Sequence, residues 1–226
     1  MSISLGLERV TKLLSYIPYT RPTIHVGGTN GKGSASTLIE STLRESGRRT
    51  GKFTSPHLVY VRDSISIDGD SLSAEGYERI SQRVQKLSDE HSIGASPFEL
   101  LTATALYAFE EARVDVVVLE VGMGGRLDAT NALRDELILI SVITAVDLDH
   151  QAFLGSTVRG IALEKAGIIR HNCLIVLGDQ RPENERDVLS SVESVAVQKC
   201  ATLIRATPMI GDDAGALSFI PLRPVV

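Results

Sequence analysis

Residues Gly27-Gly28-Thr29-Asn30-Gly31-Lys32-Gly33-Ser34 follow directly on the apolar run Thr23-Ile24-His25-Val26 and precede a segment with helical periodicity. A glycine-rich turn between strand and helix can cradle a phosphate. Amides free of side chains close around the anion, the helix N-terminus adds its positive end, and Lys32 brings a full charge. The loop departs from G-x-x-x-x-G-K-S/T, since Val26 occupies the first glycine position and Gly33 separates Lys32 from Ser34. The physics survives the mismatch: Gly28, Thr29, Asn30, Gly31, Lys32 and Gly33 can still wrap phosphates, and the Ser34 hydroxyl sits at the helix start, where a Mg²⁺ ligand is needed. A dinucleotide fits less well, because the glycines do not follow G-x-G-x-x-G and Gly51-Lys52 stands where an acidic ribose ligand would be. A glycine turn with no ligand is the bland alternative.

Three further clusters carry chemical groups. Glu120-Val121-Gly122-Met123-Gly124-Gly125-Arg126-Leu127-Asp128-Ala129-Thr130-Asn131 follows the most hydrophobic strand. Glu120 can hold Mg²⁺ near the phosphates there, and the glycines let backbone approach a substrate. The alternative is a tight turn with a salt-bridged glutamate. Asp147-Leu148-Asp149-His150 follows another strand, where a neutral imidazole can ligate a second metal ion. Taken singly, His150 also reads as a hydrogen-bonded loop histidine, as do His25, His57, His91 and His171. Glu164-Lys165-Ala166-Gly167-Ile168-Ile169 ends a helix, and by itself Lys165 reads as a solvated charge interacting with the helix dipole.

The elements that position these clusters follow from periodicity. Leu7, Val10, Leu13, Leu14 and Ile17 predict an opening amphipathic helix ending at Pro18. A helix from Gly33 to about Ser46 should bury Ala35, Leu38, Ile39, Thr42 and Leu43, and Gly47 can terminate it. A short strand over 50–53 precedes a loop, Thr54 to Leu58, and the alternating Ser64 to Asp70 reads as an exposed β-ribbon or hairpin arm. Ser73 should cap a helix to about His91. Ser96-Pro97-Phe98-Glu99 combines a capping box with proline at the first helical position and opens a helix to Arg113. Val114 to Leu119 and Ile138 to Val146 are β-branched and nearly unbroken, the pattern of parallel strands covered on both faces. A helix begun near Ser156, Leu174 to Leu177, a helix from Pro182 to Lys199 and Leu203-Ile204 continue the alternation. The expectation is an α/β, three-layer αβα P-loop domain with a mostly parallel sheet over 1–206, and a linker or truncated tail over 207–226.

Composition narrows the classes. The 226 residues are 43% hydrophobic and 23% charged, with net charge −5 and acids and bases interspersed. No basic stripe for nucleic acid, no apolar run of membrane-spanning length and no signal-peptide pattern stand out, so the expectation is a cytoplasmic protein, with the mitochondrion as the alternative. Cys173 and Cys200 are isolated and read as reduced thiols.

Taken in order, these pieces resemble the dihydrofolate synthase and folylpolyglutamate synthase branch of the Mur ligase superfamily, from about Leu5 to Ile204. Gly28 to Ser34 match its nucleotide loop, Thr54 to Leu58 its Ser-Pro-His-Leu loop, Phe98-Glu99 its pterin-side helix start and Glu120 to Asn131 its metal and substrate segment. Asp149-His150 with Leu154-Gly155 match its histidine motif, and Glu164 to Ile168 its lysine motif.

The resemblance implies ATP on Thr29 to Ser34 and Mg²⁺ on Ser34, Ser55, Glu120 and His150. It implies pteroate or folate facing Phe98, Glu99, Leu127, Asp128 and Ala129, and a Lys165 carboxylated to an anionic carbamate metal ligand. It also implies a monomer whose catalytic groups are Lys32, Glu120, His150 and Lys165 and whose substrates include L-glutamate. Leu5-Gly6-Leu7, Gly51-Lys52-Phe53 and Phe153-Leu154-Gly155 look more like eukaryotic dihydrofolate synthases. A second, C-terminal glutamate-binding domain belongs to the family pattern and is absent from these residues. A folylpolyglutamate synthase, a nucleotide-binding remnant without ligation, and an unrelated P-loop phosphotransferase are the competing readings.

Overall fold

The computed structural model describes residues 6–206 and the backbone of 224–225. Six parallel strands form the centre of a nine-stranded sheet: β1 (Thr23–Gly27), β2 (Thr50–Phe53), β5 (Val116–Glu120), β6 (Ile138–Ile143), β7 (Leu174–Leu177) and β8 (Thr202–Arg205). The hairpin β3 (Ile65–Ile67) and β4 (Asp70–Ser71) adds antiparallel to β2, and β9 (Pro224–Val225) adds antiparallel to β8. The order β4-β3-β2-β5-β1-β6-β7-β8-β9 makes β1 the switch point, with β2 and β5 on one side of it and β6, β7 and β8 on the other. The crevice beyond its C-terminal end is therefore the natural ligand edge.

Strand alternation sorts the two faces. Ile24, Val26, Val116 and Val118 pack beneath α2 (Lys32–Glu45) on one. Val117 and Leu119 on the other meet the core that α1 (Glu8–Leu14), α3 (Ala74–Glu90) and α4 (Pro97–Ala112) share. The registers His25 with Ser141 and Leu119, and Ile143 with Leu177, put a second cluster on that same face. Here Ile143, Ile175 and Leu177 lie under α6 (Val158–Ala166) and α7 (Pro182–Gln198). The three-layer α/β expectation holds, with helices on both faces of the sheet.

Local signals placed most boundaries. Ser96 and Glu99 form both bonds of the capping box that starts α4, and the Ser73 side chain accepts from Gly76 N–H at the start of α3. Gly47, with φ 85°, closes α2 while Arg48 N–H donates to Leu43 O. Three readings are corrected. Helix α2 turns Ser36 and Glu40 inward and leaves Leu38 69% exposed and Thr42 on the surface. Ala35, Ile39 and Leu43 do pack on the sheet as expected, and Glu40 joins that inner face by accepting from the Thr50 hydroxyl at 2.6 Å on neighbouring β2. The Ser64 to Asp70 segment does form a hairpin, β3 with exposed β4, but β3 also pairs with β2 and buries Ile65 and Ser66 at the sheet edge. The opening helix ends at Leu14, with turns to Ile17. Short α5 (Gln151–Leu154) and the 3-10 turn Ala129–Ala132 had no periodicity to predict them. The tail expected over 207–226 lies outside the described residues except for the Pro224–Val225 pairing.

Candidate active site

Three strand ends meet at the switch point. Val121 N–H donates to Val26 O at 2.9 Å, tying the end of β5 to β1, and Thr29 and Asn30 N–H both donate to Ala145 O beyond β6, at 2.9 and 3.0 Å. Thr29 Oγ1 also donates to Asp147 O and accepts from Asp147 N–H, each at 3.1 Å. The glycine-rich loop and the Asp147 to His150 loop are thus stitched together by backbone. Gly28, at φ 139°, makes this approach feasible, since a Cβ there would meet Thr144 Oγ1 at 1.9 Å.

Helix α2 begins at Lys32 behind Gly31 (φ 85°), which supplies no capping side chain. By helix geometry the N–H groups of Lys32, Gly33 and Ser34 have no carbonyl partner in the helix and face the loop opening, and Ser34 is exposed there. Among the described residues the Lys32 ammonium donates to Thr29 O, at 3.3 Å.

Glu120, at the C-terminal end of β5, is 3% exposed, and its Oε2 has no hydrogen-bond partner among the described residues. A Cβ added to Gly33 would lie 3.6 Å from that oxygen, so the carboxylate stands against the start of α2. Burial raises its pKa to about 7, while the charges of Lys32 and Lys52 and the Ser55 N–H pull the other way. Lys165 is 3% exposed and donates to Gly28 O at 2.8 Å. Burial, with Lys32 nearby, lowers its pKa to about 8. This overturns the reading of Lys165 as a solvated charge: α6 packs its last turn under the phosphate loop, a placement that helix position cannot reveal.

Beside the loop opens a cavity of about 690 Å³ lined by Lys32, Ser55, Phe98, Glu99, Leu127, Asp128, Ala129, Asp149 and His150, among others. The segment after β5 can line it because Gly122 passes beneath the Phe98 ring, where a Cβ would come within 2.3 Å of Cζ. His150 opens α5 at φ 49°, its side chain about half exposed and its Nε2 3.4 Å from Asp149 Oδ2. Glu99 and Asp128 line the cavity with carboxylates already engaged. Glu99 Oε2 accepts from Ser96 N–H at 2.6 Å and from Arg9 Nε at 3.0 Å. Asp128 accepts from Met123 N–H (2.8 Å), Thr130 N–H (3.0 Å) and Thr130 Oγ1 (2.6 Å).

The structure therefore gathers Lys32, Ser55, Phe98, Glu99, Leu127, Asp128, Ala129 and His150 around one cavity. Glu120 and Lys165 stand beside it as buried groups held by Ser55 N–H and Gly28 O. Among the described residues no three His, Cys, Asp or Glu side chains cluster as a metal cage. Mg²⁺ needs none, since it commonly binds one or two carboxylates together with phosphate oxygens and water. Sequence reasoning missed Thr130, although Asp-x-Thr spacing is the mark of an Asx turn, and Lys52, whose charge acts on Glu120 from β2. Among the described residues no helix is long and apolar enough to cross a membrane.

No protein-family model matches the chain. It is 40% identical over 206 residues to the dihydrofolate synthetase of Saccharomyces cerevisiae, matching 90% of this chain and 47% of that protein. To the dihydrofolate synthase/folylpolyglutamate synthase of Haemophilus influenzae it is 40% identical over 202 residues, 87% of this chain and 44% of that one. Among solved structures, E. coli FolC in complex with DHPP and ADP superposes with a TM-score of 0.82 at 36% identity, covering 91% of this chain and 48% of that chain. Folylpolyglutamate synthase of Mycobacterium tuberculosis complexed with ADP gives a TM-score of 0.81 at 37% identity, with 90% and 47% covered. The chain spans about half the length of the curated relatives it matches.

Proposed function

The chain belongs to the dihydrofolate synthase and folylpolyglutamate synthase family, and from that premise we propose that it carries the ATP-binding part of a carboxylate–amine ligase joining L-glutamate to dihydropteroate. The observation that carries this reading is Lys32, which stands both at the phosphate loop and in the wall of the 690 Å³ cavity. A phosphoryl group held by the loop would meet an acid held by the cavity at that side chain.

In this reading the dihydropteroate carboxylate attacks the γ-phosphorus of ATP, giving an acyl phosphate and ADP. The glutamate amine then attacks the acyl carbon and phosphate leaves. Each step gathers negative charge, so positioning and electrostatics supply the catalysis and no side-chain nucleophile is required. The free amides of α2 and Lys32 hold and neutralise the phosphates, and Phe98, Leu127 and Ala129 offer apolar walls to a planar ring system. Glu99 and Asp128 contribute the polar part of that wall. Mg²⁺ fits the partnerless, buried Glu120 Oε2, with Ser34, Ser55 and His150 as further donors; when bound it would neutralise charge on the transferring phosphoryl group. Lys165, its pKa lowered to about 8, gives up its proton far more readily than a solvated lysine, which favours the neutral amine that carboxylation to a carbamate needs.

The test is phosphate release from ATP, which should require both dihydropteroate and L-glutamate and fall in Glu120→Ala. Turnover indifferent to any pterin would overturn the reading in favour of an unrelated phosphotransferase. A second reading, folylpolyglutamate synthase, is favoured by the double name of the Haemophilus relative. Replacing dihydropteroate by tetrahydrofolate separates the two, and ADP binding without ligation by this chain would mark it as the nucleotide-binding part alone. A cytoplasmic monomer accompanies either reading.

A further inference from the structure

His25 has no role in the chemistry just described, yet it is a costly residue for its place. It lies on β1, fully buried, between the two core clusters that share one face of the sheet, and its Nδ1 has no hydrogen-bond partner among the described residues. An apolar side chain of similar size would fill the space without stranding a polar atom. What the histidine adds is one contact: Nε2 stands 2.9 Å from Thr130 Oγ1.

The direction of that bond follows from its neighbours. Asp128 accepts the backbone N–H groups of Met123 and Thr130, which can only donate, and the Thr130 hydroxyl lies 2.6 Å from Asp128 Oδ1. Burial pushes the Asp128 pKa up, while the Thr130 hydroxyl and the N–H groups of Met123, Thr130 and Gly122 pull it back. With N–H donors on both of its oxygens the group accepts as a carboxylate, so the single Thr130 proton points at Oδ1 and the hydroxyl oxygen accepts from His25. That requires the Nε2–H tautomer and leaves Nδ1 as a bare acceptor, the very atom found without a partner. The unpaired nitrogen and the direction of the chain are one fact.

We propose that His25 is a positioning residue for the acid-substrate cavity: its Nε2–H, relayed through Thr130, locks the Asp128 carboxylate in the cavity wall in one orientation. The inference rests on the functional reading above for the identity of the ligand, but not for the relay itself. The device also ties that wall to β1, the strand that delivers the phosphate loop two residues later.

Two readouts test it. Imidazole ¹⁵N NMR of the wild-type chain should show His25 as the neutral Nε2–H tautomer, and Thr130→Val should perturb those resonances; the Nδ1–H tautomer would overturn the relay whatever ligand the cavity takes. In binding, His25→Leu should weaken dihydropteroate about tenfold, the loss of one charge-linked hydrogen bond, with ADP affinity unchanged. His25→Gln, which offers an N–H at the ε position, should recover most of that loss. If His25→Leu does not fold, Thr130→Val against Thr130→Ser decides, the valine weakening dihydropteroate and the serine not. Where both fold, the His25→Leu, Thr130→Val double variant should be no weaker than Thr130→Val alone. Dihydropteroate binding by His25→Leu or Thr130→Val equal to wild type would overturn the proposal. A wild-type protein that shows the Nε2–H tautomer yet takes no dihydropteroate would refute the functional reading instead.

Discussion

Glu120 and Asp128 are both buried carboxylates on the segment that follows β5, and they are treated oppositely. Asp128 is saturated: backbone N–H groups and the Thr130 hydroxyl occupy its oxygens. Glu120 is starved, with Oε2 partnerless and a pKa raised to about 7 by burial. A saturated carboxylate is held in one orientation, and a starved one at a ligand edge is available, in the proposed reading, to a cation. Eight residues apart, one carboxylate is fixed in the cavity wall by its donors and the other keeps an oxygen free beside the phosphate loop.

The contrast breaks most sharply in stability. Asp128→Ala strands several buried donors at once and should destabilise the chain by about 3 kcal/mol in urea denaturation. Glu120→Gln removes a buried charge and should leave the ligand-free fold at least as stable while lowering ligase turnover by about 100-fold. Equal stability losses in the two variants would erase the distinction.

Acidity sharpens it next. Glu120 binds its proton more tightly folded (about 7) than at the ordinary value of 4.5, so the ligand-free fold loses stability as pH rises through 4.5 to 7. His25, its pKa lowered to about 3 from 6.5, acts with the opposite sign: stability falls as pH falls from 6.5 toward 3, because the unfolded chain takes up a proton the fold refuses. Denaturation midpoints across this range should show the first slope vanish in Glu120→Gln and the second in His25→Gln.

The smallest effects concern α2. Leu38→Ser should change stability by no more than about 0.5 kcal/mol, since that side chain is exposed. Thr50→Val, which strands buried Glu40, should cost about 1 kcal/mol in the same titration. The reverse ranking would restore the apolar face that periodicity suggested.

Much of the architecture was legible because its causes are local. The capping box at Ser96 and Glu99, the Gly47 stop and the β-branched runs of β5 and β6 each act within a few residues, and the phosphate loop announces itself through glycines and a lysine between strand and helix. On α2, Ala35, Ile39 and Leu43 pack on the sheet as their spacing predicts, but Leu38 and Thr42 do not, because the hydrogen bond from Thr50 to Glu40 rolls the helix so that Ser36 and Glu40 also face inward. The ribbon after Ser64 alternates like an exposed arm, but β2 needed an edge partner.

By itself, then, the sequence determined the order of elements, the loop that would cradle phosphate and the side chains that could surround it, since propensity, capping and backbone freedom are properties of neighbouring residues. Tertiary structure alone decided that Lys165 is buried against Gly28, that Glu120 keeps one oxygen free and that His25 meets Thr130 across 105 positions of chain. The physical reason is that desolvation and hydrogen-bond satisfaction depend on which segments the fold packs together, and no spacing along the chain encodes how many partners a buried atom will find.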